Sequence, residues 1–426
     1  VLYRPIKLLL AGLASCIGMA ASAQRDVVLS KNIASLQVTA GNKWLSMPII
    51  NINNDIPINI RFDDLTHDYH RYVYKLQHCE ADWSPSEGIF DTDYCDGFAD
   101  GDVIDRYAKS VNTNTIYTHY SLSIPNDRCR LKMSGNYRLI IYDDNDKDTI
   151  LYAHFMVVDP AVKIIAEVSS NTDIDANATH QQVSGSVDFS GLRTSNPAKE
   201  ITTIVIQNGM WSTARYNPKP QTLLTNKMIF SHNRELIFDG GNEYRKFEIL
   251  DVERPSMGVE SIYWDGVKYC ADLWTDDPRR NYIYDEDANG HFYIRNSDNI
   301  ENDIASDYVN VKFTLSIPRQ TTSVYINGEW TNIMGKHGIE MKYNNEAKQY
   351  EACAILKQGY YSYRYVTTSI DEAKTLPLPC EGNFYQTENE YQILIYFRQF
   401  GQRTDQLVGY KNIKTRCKHS IASNPL

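Results

Sequence analysis

Apolar and polar positions alternate over short runs through most of this chain. Val309-Asn310-Val311-Lys312-Phe313-Thr314-Leu315 keeps a period of two, the spacing of a strand with one buried face. Tyr137-Arg138-Leu139-Ile140-Ile141-Tyr142 and Ala153-His154-Phe155-Met156-Val157-Val158 are β-branched and aromatic runs flanking an Asp/Asn-rich loop, which predicts a hairpin. Tyr391-Gln392-Ile393-Leu394-Ile395-Tyr396-Phe397 predicts another strand. No long stretch sustains the spacing of an amphipathic helix. Many short strands joined by polar turns predict an all-β chain of tandem antiparallel β-sandwich, Ig-like domains.

A faint echo recurs three times. Val38 to Trp44, Ile204 to Trp211 and Val324 to Trp330 each run strand, then a pair drawn from Gly and Asn, then a spacer, then Trp. Asn and Gly tolerate the positive φ of tight turns, and a Trp just past the turn is expected to pack on the end of a sandwich core rather than to bind a sugar. Breaks at Asp159-Pro160 and in the polar stretch Asn296 to Ser306 divide the chain into residues 24–160, 161–306 and 307–415. A frayed tail is expected over 416–426.

The first residues carry an export signal. Arg4 and Lys7 precede an apolar run from Leu8 to Ala20, and Ala21-Ser22-Ala23 offers small residues to a signal peptidase. This predicts a signal peptide over 1–23, a mature chain from Gln24 and a periplasmic location. A rival reading takes Leu13-Ala14-Ser15-Cys16 as a lipoprotein box with a lipid on Cys16, against which the bulky Ile17 counts. No other stretch reaches the length of a membrane span.

The formal net charge of −10 argues against nucleic acid and offers no polybasic patch to anionic lipid. Hydrophobic residues at 42% and aromatics at 12% suffice for sizeable cores. Of the 8 cysteines, Cys16 leaves with the signal peptide, so an odd number remains and at least one stays unpaired unless another chain supplies a thiol. Cys79, Cys129 and Cys353 lie in strand-like runs and are expected as small buried thiols. Cys380 and Cys417 sit near loops, where a disulfide between them is open. The chain has no Cys-x-x-Cys.

Candidate chemistry is sparse. Asp285-x-Asp287-x-Asn289-Gly290 matches the first half of a calcium loop, but Asn296 stands where a bidentate Glu is required, so a hairpin turn at Asn289-Gly290 is expected instead. Asp144-x-Asp146-x-Asp148 reads as a solvated hairpin loop. His67, His70 and His78 near Asp63, Asp64 and Asp68 form a candidate transition-metal cluster without a helical ligand spacing. Nucleophile elbows and phosphate loops are absent. Acid pairs for glycoside hydrolysis stay open, because carboxylate separation is a spatial property. The expectation is no catalytic, cofactor-binding or metal residues and no cofactor.

His78-Cys79-Glu80-Ala81-Asp82-Trp83-Ser84-Pro85-Ser86, Asp96-Gly97-Phe98, Tyr117-Thr118-His119-Tyr120-Ser121-Leu122 and Ile124-Pro125-Asn126 together resemble the first domain of the type IX secretion plug proteins of Bacteroidetes. The likeness continues through Gly240 to Arg245, Asp287 to Asn296, Gly382 to Asn389 and Tyr396 to Gly409. It implies a non-enzymatic periplasmic protein whose partner is the giant outer-membrane translocon barrel of that secretion system, and which occludes the barrel's periplasmic opening when no substrate passes. The last segment, with Asn327-Gly328-Glu329-Trp330, Met341-Lys342-Tyr343 and Leu356 to Val366, is similar to Ig-like starch- and glycogen-binding modules. That likeness speaks for fold more than for sugar binding. An alternative class is a carbohydrate-binding accessory protein of the periplasm or cell surface that stacks sugar on Trp330, Tyr360 and Tyr361. A hydrolase is the third.

Overall fold

The computed structural model describes residues 26–334, 337–370 and 374–415. The expected signal peptide, the lipoprotein box at Cys16, Cys417 and the tail 416–426 lie outside the described residues. The described chain is all-β, with 31 strands, and its longest α-helices are four residues long.

The first two sheets face each other. One orders Val27–Val28, Thr149–Val158, Gly135–Asp143, Tyr72–Cys79 and Asp100–Val103, with Ile49–Asn51 also pairing to Thr149–Val158; the other orders Ile33–Ala40, Ile58–Asp64, Thr118–Ile124 and Arg106–Lys109. The expected hairpin is present, with Tyr137 opposite Phe155 and Leu139 opposite Ala153. Ile58, Ile60 and Phe62 alternate with half-buried Asn59 and Arg61, so one face of that strand enters the core with Leu76, Tyr137, Leu139, Ile141 and Phe155. Cys79 and Cys129 are buried thiols, as expected. Cys95 and Cys129 lie together in this core, their Sγ atoms 3.0 Å apart.

A second pair of sheets follows. One orders Lys163–Ser169, His180–Asp188, Lys227–Phe230 and Thr222–Leu223, and the other Met210–Tyr216, Ile201–Gln207, Glu390–Phe397 and Gln406–Lys414. The third unit is a ten-stranded sheet running from Arg245–Ile249 through Gly359–Thr368, Val324–Asn327, Ile339–Asn344, Gln349–Lys357, Tyr308–Leu315 and Tyr269–Leu273 to Val259–Trp264. Strand pairing therefore groups the chain differently from a linear division at 160 and 306. Strands from Arg245 to Ile294, expected with the second unit, join the third, while Glu390–Phe397 and Gln406–Lys414, expected with the third, join the second. The third unit is nested inside the second.

The second unit packs on the first. In Glu390–Phe397 the odd-numbered Tyr391, Ile393, Ile395 and Phe397 enter the second core, while Leu394 and Tyr396 enter a seam with Met47, Cys79, Ala81, Trp83, Met156 and Val158. Four sheets are thereby stacked face to face. Each large apolar side chain fully buried in the seam contributes about 1.5–3 kcal/mol.

Cys353 departs from expectation. It is exposed, because its place opposite Lys312 puts it on the outer face of the third sheet.

Candidate functional site

The polar groups that this sequence buries collect where the three units meet. Asp63 is the penultimate residue of the strand Ile58–Asp64 and faces the third unit. Lys357 Nζ donates to its Oδ2 at 2.6 Å, Tyr308 OH donates to the same oxygen at 2.7 Å, and His119 Nδ1 lies 2.7 Å from Oδ1. Lys357 and Asp63 side chains are 2% and 1% exposed, so the pair is closed to solvent. Burial alone would push the Asp63 carboxyl up, but Lys357 and His119 outweigh it and hold it below the usual carboxylate range. Lys357 also lies 4.1 Å from the centre of the Tyr117 ring. Asp307 accepts from the backbone N–H of Asn114 at 2.6 Å and of Thr115 at 2.9 Å. Within the Tyr117-Thr118-His119-Tyr120 block, Tyr117 and His119 thus serve the contact between first and third units.

A second anchor braces the third unit where the chain enters and leaves it. Glu381 accepts from Arg279 Nη2 at 2.6 Å and from Arg245 Nε at 3.2 Å, and Arg245 Nη1 reaches Asp276 at 2.7 Å. Burial pushes the Glu381 carboxyl up, yet the two guanidinium groups outweigh it and lower its pKa. Beside this anchor Gly241 donates its N–H to Asn383 Oδ1 at 2.8 Å, and Phe384 donates to the Gly241 carbonyl at 2.7 Å. The outgoing and returning chains are tied together there.

At the centre of the three units is a cavity of about 140 Å³ whose wall includes Trp83 and His154 of the first unit, Met210 and Trp211 of the second, and His291 and Arg364 of the third. Asp26 and Glu329 also reach it. His291 Nδ1 lies 2.7 Å from Glu329 Oε2; burial pushes its pKa down, but Glu329 outweighs that and raises it. Trp83 is 1% exposed, has φ of 66°, a strained value for a bulky residue, and stands edge-on to Trp211 at 5.4 Å.

The candidates named from sequence do not converge. His70 binds Asp64 at 2.5 Å. His78 is buried against Ser86 Oγ at 2.8 Å and the Ser134 carbonyl at 3.2 Å, and burial pushes its pKa down. His67 sits in a separate turn with φ of 62°. Among the described residues no group of three or more His, Cys, Asp or Glu is placed to hold a metal. Asp287 turns its carboxylate to the chain itself: it accepts the backbone N–H of Tyr244 and, at 2.6 Å, of Asn289, and burial pushes its carboxyl up to about 7. Lys246 fills the cationic role beside Asp285 at 2.6 Å. Asn289 and Gly290 do form a turn with positive φ, but it precedes the strand Phe292–Ile294 without a hairpin partner before it. Asp144 is a loop residue paired with Arg71 and Lys147.

The aromatic candidates are packed. Trp330 is 3% exposed and donates to the Ser362 carbonyl at 2.9 Å, Tyr361 is 2% exposed, and Tyr360 meets Trp44 edge-on with ring centres 6.0 Å apart. They offer no shared surface for stacking a sugar. Asn208 and Gly209 have the positive φ expected of a hairpin turn, as does Gly41; Asn327-Gly328 instead leads into the short 3-10 helix Glu329–Met334. The roles of Asp63, Lys357, Trp83 and Arg364 were not read from sequence, since no local pattern marks a pairing between distant strands.

A family described as the type 9 secretion system plug protein 1st domain matches residues 33–159. A hypothetical protein from Parabacteroides merdae, known from a crystal structure, is 39% identical with a TM-score of 0.88, over 92% of this chain and 99% of that one. The C-terminal domain of the Streptococcus agalactiae AgI/II polypeptide BspA gives 7% identity and a TM-score of 0.16, over 92% of this chain and 97% of that one, which carries no argument. No curated protein matches. No helix among the described residues is long and apolar enough to cross a membrane. With its first unit matched by the family model and a relative 39% identical over 92% of its length, the chain belongs to the type 9 secretion system plug protein family.

Proposed function

We propose that this chain is a periplasmic plug that occludes the periplasmic opening of the type IX outer-membrane translocon barrel when no substrate is passing. Occlusion requires a body that does not deform under a passing chain, and a surface that fits the barrel rim. The observation that carries the reading is the fusion of three units into one block: the four-sheet stack joins the first to the second, and the buried Lys357–Asp63 pair joins the first to the third. Substrate arrival displaces the plug by binding better to the open barrel than the plug does.

Affinity purification of the tagged chain from native outer membrane tests this reading. The barrel is expected to co-purify, and deletion of the gene is expected to admit a large, normally excluded antibiotic. A barrel recovered free of this chain, together with unchanged permeability, would overturn it.

A further inference from the structure

The cavity at the meeting of the three units holds two buried donors that the fold leaves unpaired. Trp83 Nε1 and Arg364 Nε have no hydrogen-bond partner among the described residues. Unpaired donors shielded from solvent are costly and mark a ligand or an ordered water. Arg364 also forms no ion pair among the described residues: its Nη2 donates to Met210 Sδ at 3.0 Å, and its guanidinium lies 5.3 Å from the centre of the Tyr244 ring. A water satisfies a donor, but it gives no charged partner to a guanidinium whose direct contacts are a thioether and an aromatic face.

We propose that this cavity binds a singly charged carboxylate bearing a short apolar or aromatic tail, with Arg364 and Trp83 as its donors. The planar guanidinium fork suits a carboxylate. Asp26 and Glu329 in the same wall disfavour a second negative charge, which sets phosphate apart. Met47, Met156, Met210 and Trp211 supply apolar surface for the tail, as small-molecule sites do. The volume of about 140 Å³ admits a small acid or the terminal residue of a peptide, and these share the chemistry. The site draws on all three units, so its occupant bridges them. The inference stands apart from pore occlusion, because it rests on the unpaired donors alone.

Calorimetric titration of the purified mature chain with hexanoate, phenylacetate, hexanamide and inorganic phosphate tests the chemistry. A short peptide ending in Phe, with a free or an amidated C-terminus, separates the two sources. Binding is expected for the carboxylates or for the free-ended peptide, and not for hexanamide, the amidated peptide or phosphate. Arg364→Gln is expected to weaken binding at least about tenfold, the loss of one charge-assisted bond. Trp83→Phe keeps an aromatic face but removes the N–H together with the five-membered ring, and is expected to weaken it several-fold; it decides the matter if Arg364→Gln does not fold. The proposal is overturned if neither carboxylate arm binds at millimolar concentration, if hexanamide or phosphate binds as well as the acids, or if the folded variants bind unchanged.

Discussion

Lys357 and Asp63 stand 294 positions apart in sequence and 2.6 Å apart in the fold. Removing one partner strands the other in a dry site, so Lys357→Met is expected to destabilise the chain by about 3–5 kcal/mol, and the double variant with Asp63→Asn by less. Chemical unfolding of the single and double variants measures both, and additive losses would contradict the pairing. The Asp63 pKa is lowered in the fold. Its contribution is therefore present above the unfolded value of about 3.9 and is lost as pH falls below it. Asp287 behaves in the opposite sense. Its carboxyl is pushed up to about 7 by burial, so between about 4 and 7 the folded state binds more protons and stability falls as pH rises. Asp287→Asn is expected to flatten that part of the profile, gaining up to ~4 kcal/mol on the wild type between pH 4 and pH 8. Urea midpoints across that range give the slope, and parallel profiles would refute the assignment. Neither residue's role was legible locally: Asp287 was visible only as a calcium-loop fragment, which its backbone hydrogen bonds explain otherwise.

At the scale of elements, the strand Glu390–Phe397 was legible but its neighbours were not. Its eight residues are all buried, because alternate side chains enter two different cores, one on each face. A run apolar on both faces signals a central strand, yet it names no partner. The hairpin of Gly135–Asp143 with Thr149–Val158 was legible, since its two strands meet across a short loop, although the second strand starts four residues before the expected Ala153. Between those cases lies the neck at Gly240, where a Cβ would stand 2.1 Å from the Phe384 carbonyl oxygen. Gly240→Ala is expected to part the two crossing chains and cost about 1–3 kcal/mol. Thermal unfolding would read it, and a neutral substitution would show that the neck is not tight.

For the whole molecule, nesting sets which parts depend on the C-terminal strands. Truncation before Glu390 removes Tyr391, Ile393, Ile395, Phe397 and Val408 from the second core and Leu394, Tyr396 and Leu407 from the seam. The buried members of the third core end at Leu378. The truncated chain is therefore expected to become protease-sensitive between residues 161 and 239 while residues 241–386 stay resistant. Cleavage concentrated in the third unit would point instead to a linear arrangement. The same seam makes rigid-body behaviour a property of the assembled stack and not of any one unit.

Local periodicity and turn chemistry determined the all-β class, the main hairpin, the Asn208-Gly209 turn and the core packing of Trp330, because neighbours in the chain settle strand identity and turn sign, whereas Trp211 lies at the inter-unit cavity instead. The blocks around His78 and Tyr117 sufficed to place the family. Only the tertiary structure decided that the third unit is inserted in the second, that Cys353 faces outward, that Lys357 closes on Asp63, and that Trp83 and Arg364 share a cavity. Each of these depends on contacts between strands remote in sequence, where side-chain pattern sets which face is buried but not against what.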